Sequence, residues 1–121
     1  MATLWDAISE RIVDDVVILD VRSRGLTLGE GGGELLAKIR DLVSRGSSKI
    51  LLNLRDVPYV DSFGLEEIVN GFKALRAVGG KLGVYNVAPR LRDLLVVTKL
   101  DATIRSHDSE QMAVEALRAR V

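Results

Sequence analysis

The run Ile50-Leu51-Leu52-Asn53-Leu54, entered at Lys49, is almost entirely apolar and only of strand length. A strand of that composition wants cover on both faces, so the chain that contains it is committed to a sheet with other elements packed against it. On either side the apolar period becomes helical. Upstream, Leu35, Leu36, Ile39, Leu42 and Val43 fall on one stripe beginning at Glu34, and Gly46 is placed to end it. Downstream, Leu65, Ile68, Val69, Phe72, Leu75 and Val78 form a second stripe from Ser62, stopped by Gly79 and Gly80.

The rest of the chain repeats this alternation. Residues 15–22 are rich in β-branched side chains and predict a strand. Residues 4–13, with Trp5, Ile8, Ile12 and Val13, suit a helical turn or a first strand; the strand is preferred because small mixed domains often open with two paired strands. Glycines punctuate residues 25–33, which predicts a loop. A third clear strand spans 81–87, and Pro89 is placed as the first residue of a helix carrying Leu91, Leu94 and Leu95. A short strand around 103–105 precedes a last helix carrying Met112, Ala116 and Leu117, with Asp108 and Gln111 as its capping box. This order predicts an α/β fold: a single domain over residues 1–121, with a mixed, mostly parallel central sheet and about four helices.

Composition removes many functions. The 121 residues include no cysteine and one histidine, His107, so thiolate catalysis, disulfides and multi-His or Cys metal centres lack their ligands. Neither a metal nor a cofactor is expected. Lys+Arg and Asp+Glu both number 17, which leaves no net field to draw in nucleic acid or an anionic membrane. No apolar run approaches the roughly 18 residues a membrane span requires. The first residues lack the basic and apolar segments of a signal peptide, and with no cysteine this predicts a cytoplasmic location.

Residues 57–67 carry the most information about function, because there the covered strand hands over to a helix. With Asp61 as N-cap, Val60 and Leu65 occupy the two positions of a hydrophobic staple. Ser62 becomes the first helical residue, and Glu66 and Glu67 are expected in the first turn. A hydroxyl projecting from a helix start is suited to carry a phosphate, whose charge would change what can dock there, although the neighbouring carboxylates oppose it. The plainer reading is that Asp61 and Ser62 simply cap the helix.

Leu52-Asn53-Leu54, Val57, Val60 and Asp61-Ser62-Phe63-Gly64-Leu65 resemble the signature of the STAS domain of bacterial anti-sigma factor antagonists. Ala77-Val78-Gly79-Gly80-Lys81-Leu82 and Asn86-Val87-Ala88-Pro89 match that family in kind and spacing. The resemblance implies a STAS fold and a non-enzymatic switch in transcription regulation. The unphosphorylated domain would bind an anti-sigma factor, often a serine kinase, and so free a sigma factor. Phosphorylation, here of Ser62, would end that binding, and a phosphatase would restore it. The implied contact surface comprises the loop with Gly25 and Thr27, the segment Asp56 to Gly64 with Asp61 and Phe63, and the start of the following helix. The chain departs from the family pattern at Phe63, where a second Ser or Thr is common, and at Leu28, where an aspartate is expected. A homodimer is compatible with this reading.

Other features read more plainly. The glycines at 29–33 are followed by no Gly-Lys-Ser/Thr, so a flexible loop is expected there rather than a phosphate cradle. His107 is expected near the surface, and Arg90, Arg92 and Asp93 on a solvated helix face. Phe63 suits the core or an exposed anchor. Two other functions compete with the switch: a constitutive structural subunit of a stressosome-like or lipid-transport complex, and a small hydrolase using Ser62 and His107. The hydrolase ranks last because Ser62 lacks a Gly-x-Ser-x-Gly elbow.

Overall fold

A computed structural model describes residues 7–22 and 33–118. The elements run β1 (Ala7–Val13), β2 (Val16–Arg22), α1 (Glu34–Ser44), β3 (Lys49–Asp56), α2 (Ser62–Arg76), β4 (Lys81–Tyr85), α3 (Pro89–Val97), β5 (Arg105–His107) and α4 (Glu110–Arg118). The five strands form one sheet in sequence order, with β1 antiparallel to β2 and the later neighbours parallel. The part of the opening segment from Ala7 on is therefore a strand, as preferred on sequence, and residues 4–6 lie outside the described residues.

Each parallel connection steps one strand further in the same direction, and crossovers of one hand then place all their helices on one face. The core follows that rule. Leu35, Ile39 and Leu42 of α1, Leu65, Ile68 and Leu75 of α2, and Leu91 and Leu95 of α3 pack with Leu19, Ile50, Leu52 and Val84 of the strands. On the opposite face, among the described residues, α4 supplies the cover, packing Ala113, Val114 and Leu117 on Val16, Ile18, Leu51 and Tyr85. Strand β3 sits at the centre with Ile50, Leu51 and Leu52 fully buried, which is why its sequence loses the usual alternation.

Two glycines matter to the chain's path. After α2 the backbone closes through Gly79 in the left-handed region (φ 73°), and the Gly80 N–H donates to the Leu75 carbonyl at 2.7 Å. At Gly80 a Cβ would lie 2.4 Å from the Ser48 carbonyl oxygen, so only glycine allows the chain to enter β4 there.

The chain's last third differs from the sequence expectation. The short strand is Arg105–His107, because Ile104 is drawn wholly into the core and the strand begins after it. The last helix is capped by Ser109, whose Oγ accepts the Met112 N–H at 3.1 Å, so Asp108 is not its cap. Its buried face is Ala113, Val114 and Leu117, leaving Met112 and Ala116 exposed. β4 ends at Tyr85, two residues short of the expected 87, as Asn86 turns left-handed (φ 58°). Val78, placed on the α2 stripe by its spacing, lies beyond the helix end and is exposed.

Candidate functional site

The parallel strands β2, β3 and β4 end at Arg22, Asp56 and Tyr85 on one rim of the sheet, the rim where α/β folds usually place binding groups. From there β3 reaches α2 in five residues. The Val57 N–H donates to the Leu54 carbonyl at 3.1 Å, and Val57 and Val60 are buried, pinning the segment at both ends while Pro58 and Tyr59 stay exposed. Val60 and Leu65 join the same core cluster, as a hydrophobic staple requires.

Asp61 is the N-cap of α2. Its backbone is extended, its Oδ1 accepts the Gly64 N–H at 3.0 Å, and its carbonyl accepts the Leu65 N–H at 2.9 Å. Ser62 follows as the first helical residue, exposed, its hydroxyl without a hydrogen bond to any described residue. Phe63 is half-buried, so it is neither a full core residue nor a free anchor, and Gly64 is buried. Asp56 is exposed at the end of β3. The structure thus brings Asp56, Asp61, Ser62, Phe63 and Gly64 onto one connection. Gly25 and Thr27, and all of the 29–33 glycine run except Gly33, lie outside the described residues.

Glu66 and Glu67 do not belong to the first turn. Counting from Asp61 they fall in the second, and no acidic residue occupies the first. Glu66 is exposed, whereas Glu67 is 3% exposed and lies against α1. Its Oε2 accepts the Leu36 N–H at 3.3 Å, and the Gly33 backbone also favours the charged carboxylate. Helix α1 needs this help, because its N-cap Gly33 has no side chain to bond the free amides. Among the described residues Glu67 Oε1 finds no partner. Burial raises the Glu67 pKa above its ordinary value, against the backbone groups of Leu36 and Gly33 that favour the charged form. The sequence carries one sign of this arrangement: three glycines before Glu34 offer no capping side chain of their own.

A polar network crosses the α4 face beside the same rim. Arg11 Nε donates to Asp20 Oδ2 at 2.6 Å, and Arg11 Nη2 reaches Glu110 Oε1 at 2.6 Å and the Tyr85 hydroxyl at 3.3 Å. Tyr85 donates its hydroxyl to the same Glu110 oxygen at 2.8 Å. Asn53 Nδ2 donates to Asp20 Oδ1 at 2.8 Å, and Asn53 Oδ1 accepts from Asn86 Nδ2 at 2.9 Å and from the Arg55 N–H at 3.2 Å. That last bond falls where β3 carries one extra residue against β2, and it satisfies an amide the irregular pairing leaves over. The Arg11 guanidinium holds the carboxyls of Asp20 and Glu110 below their ordinary range, while burial and the Glu110 carboxylate push the Tyr85 phenol up to about 12. A polar Asn53 inside a buried run was the sequence's only hint of the network.

Ser62 and His107 are not brought together. His107 is half-buried on β5, on the α4 side, with its pKa lowered by burial and by Arg105. Helix α2, which carries Ser62, packs on the other face of the sheet. Among the described residues no group of three or more His, Cys, Asp or Glu could hold a metal, and no helix is long and apolar enough to cross a membrane.

An antiparallel opening hairpin, parallel strands in sequence order and three helices on one face are the architecture of a STAS domain. The STAS family model matches residues 6–113, and the chain belongs to that family. A candidate anti-sigma factor antagonist of Thermotoga neapolitana is 34% identical over 112 residues, covering 91% of this chain and 96% of its own. The crystal structure of a candidate anti-sigma factor antagonist from Thermotoga maritima superposes with a TM-score of 0.75 at 31% identity, covering 93% of this chain and 95% of that one. The phosphorylated form of the Bacillus cell fate determinant SpoIIAA shares the fold, with a TM-score of 0.72 at 21% identity, covering 93% of this chain and 100% of its own.

Proposed function

We propose that this domain is an anti-sigma factor antagonist that works by protein contact, and that Ser62 is its switch. Unphosphorylated, it binds an anti-sigma factor with serine kinase activity and releases a sigma factor; phosphorylation of Ser62 ends the complex, and a phosphatase restores it. The observation that carries the reading is the exposed Ser62 hydroxyl at the first position of α2, held there by the Asp61 cap and free of internal hydrogen bonds among the described residues. Such a hydroxyl can reach another protein's active site without local unfolding. A phosphate on it would add about −1.5 to −2 charges beside Asp61, which is enough to reverse complementarity with a docked partner. The relatives described as candidate anti-sigma factor antagonists agree with this reading in family and coverage.

In this reading Asp56, Asp61, Phe63 and Gly64 border the contact, the loop with Gly25 and Thr27 completes it, and the protein acts in the bacterial cytoplasm without catalysing a reaction. The test is a titration of the purified domain with the anti-sigma kinase recovered from its host. Wild type should bind and Ser62→Asp should bind at least about tenfold more weakly, since a like-charge contact in an interface costs a kcal/mol or more. Equal affinities would end the proposal.

A further inference from the structure

Strand β1 forms one edge of the sheet, and β2 is its sole strand neighbour among the described residues. The register fixes which of its backbone groups are spent. Val13 and Val16 pair across a two-residue turn at Asp14 and Asp15, and a turn that short closes on a hydrogen-bonded pair. Bonding alternates from there. Val13, Arg11 and Ser9 turn their amides and carbonyls towards β2, whereas Ile12, Glu10 and Ile8 turn theirs outward. The opposite edge, β5, is three residues long, but β1 is seven, evenly registered and without proline. An edge of that kind is a template for another strand.

The side chains of the same three residues define what fits. Alternation puts Ile8, Glu10 and Ile12 on the face that carries α1, where Ile8 packs against the core and Glu10 Oε1 accepts Lys38 Nζ at 2.6 Å. Ile12 is 70% exposed, a large apolar surface left on an open edge. Ile8 and Ile12 stand two residues to either side of Glu10, so the edge complements itself. A second copy laid antiparallel about a two-fold axis at Glu10 sets Ile8 against the partner's Ile12, and Ile12 against the partner's Ile8. In that register every outward amide and carbonyl of the three residues meets one from the other copy. The two Glu10 carboxylates then face each other, which bare charges would resist. They are not bare: Lys38 and Arg45 pair with Glu10, and Asp41 pairs with Arg45, so each copy brings a neutral cluster. Lys38 keeps further N–H donors for the carboxylate of the other copy. Arg11, the other charged residue of β1, is held on the α4 face by Asp20 and Glu110.

We propose that the outer edge of β1 is a homodimer interface, in which two copies pair β1 with β1 antiparallel about Glu10 and continue one sheet across both. The contact uses the same patch on each copy, so it closes at two. It includes none of the residues around Ser62 and stands or falls separately from the switch.

The test joins light scattering after gel filtration to amide hydrogen exchange, both on the full chain. Wild type should run at twice the 13.2 kDa chain mass and dissociate on dilution. In the dimer the Ile8, Glu10 and Ile12 amides should exchange at least about tenfold more slowly than in the dilute monomer, while those of Arg11 and Val13, already bonded to β2, should change little. Ile12→Lys, a change at an exposed position that leaves the circular dichroism spectrum intact, should be monomeric where wild type is dimeric, with the same three amides fast. A monomer at every concentration up to millimolar would overturn the interface. So would a dimer in which those amides stay fast, an assembly beyond two copies, or a dimer that Ile12→Lys leaves whole.

Discussion

Glu67 on α2 accepts the Leu36 N–H of α1 at 3.3 Å, so one helix caps the start of another through a carboxylate that is 3% exposed. Because burial raises its native pKa, the folded protein keeps the Glu67 proton at pH values where the unfolded chain has lost it. Stability contributed by this group is therefore full below the ordinary carboxylate range and declines as pH rises through the raised native value. Glu67→Gln removes the decline, so in urea unfolding from pH 4.5 to 7.5 the variant should gain on wild type as pH rises. Parallel curves would refute this. Glu67→Ala, which strips the α1 amides of their acceptor, should cost about 1–3 kcal/mol at the acid end of that range and less as pH rises.

The cap of α2 is local and simpler. Asp61→Ala should lower stability by about 1 kcal/mol, and Asp61→Asn by much less, because the amide oxygen can still accept the Gly64 N–H. Chemical denaturation of both variants checks the order.

Ser62 itself should be nearly silent in the fold. Being exposed with no internal hydrogen bond among the described residues, Ser62→Ala should change stability by no more than about 0.5 kcal/mol. A larger loss would mean the hydroxyl is structural, and would weaken its assignment as a switch.

The turn into β4 has no room to spare. Gly80→Ala drives a Cβ into the Ser48 carbonyl oxygen, a backbone atom that cannot swing aside, and should cost about 2 kcal/mol or more. Gly46→Ala faces open space and meets only the left-handed backbone penalty (φ 97°), about 1 kcal/mol. Thermal unfolding of the pair separates a steric from a conformational cost; equal losses would contradict the geometry.

In the network, Arg11 and Glu110 are each more than a third exposed, so their ion pair is weakened by solvent. A double-mutant cycle with Arg11→Gln and Glu110→Gln should give a coupling of at most about 1 kcal/mol that shrinks at high salt. A larger, salt-insensitive value would mean that Tyr85 and the covering helix shield the pair more than its exposure implies.

Along the chain, what can be read is what repeats at short range. Period 3.6 in α1 and α2, the unbroken apolar β3, Pro89 at the first position of α3 and the Asp61–Ser62 helix start all depend on residues a few positions apart, and the structure places them as their spacing implies. The same reading fails at α4, where Ser109 and Asp108 are equally good caps by type. There the buried face is chosen by contact with Val16, Ile18 and Leu51 rather than by the helix's own pattern.

The sequence by itself determined the order of strands and helices, and with one crossover hand that order leaves little freedom in topology. Only the tertiary structure decided that Arg11 and Glu110, 99 residues apart, share a network, and that Glu67 caps a helix 31 residues upstream. The reason is physical: backbone periodicity is written in neighbouring residues, whereas a buried polar group is satisfied by whichever partner the packed sheet brings within about 3 Å, and no spacing along the chain encodes that meeting.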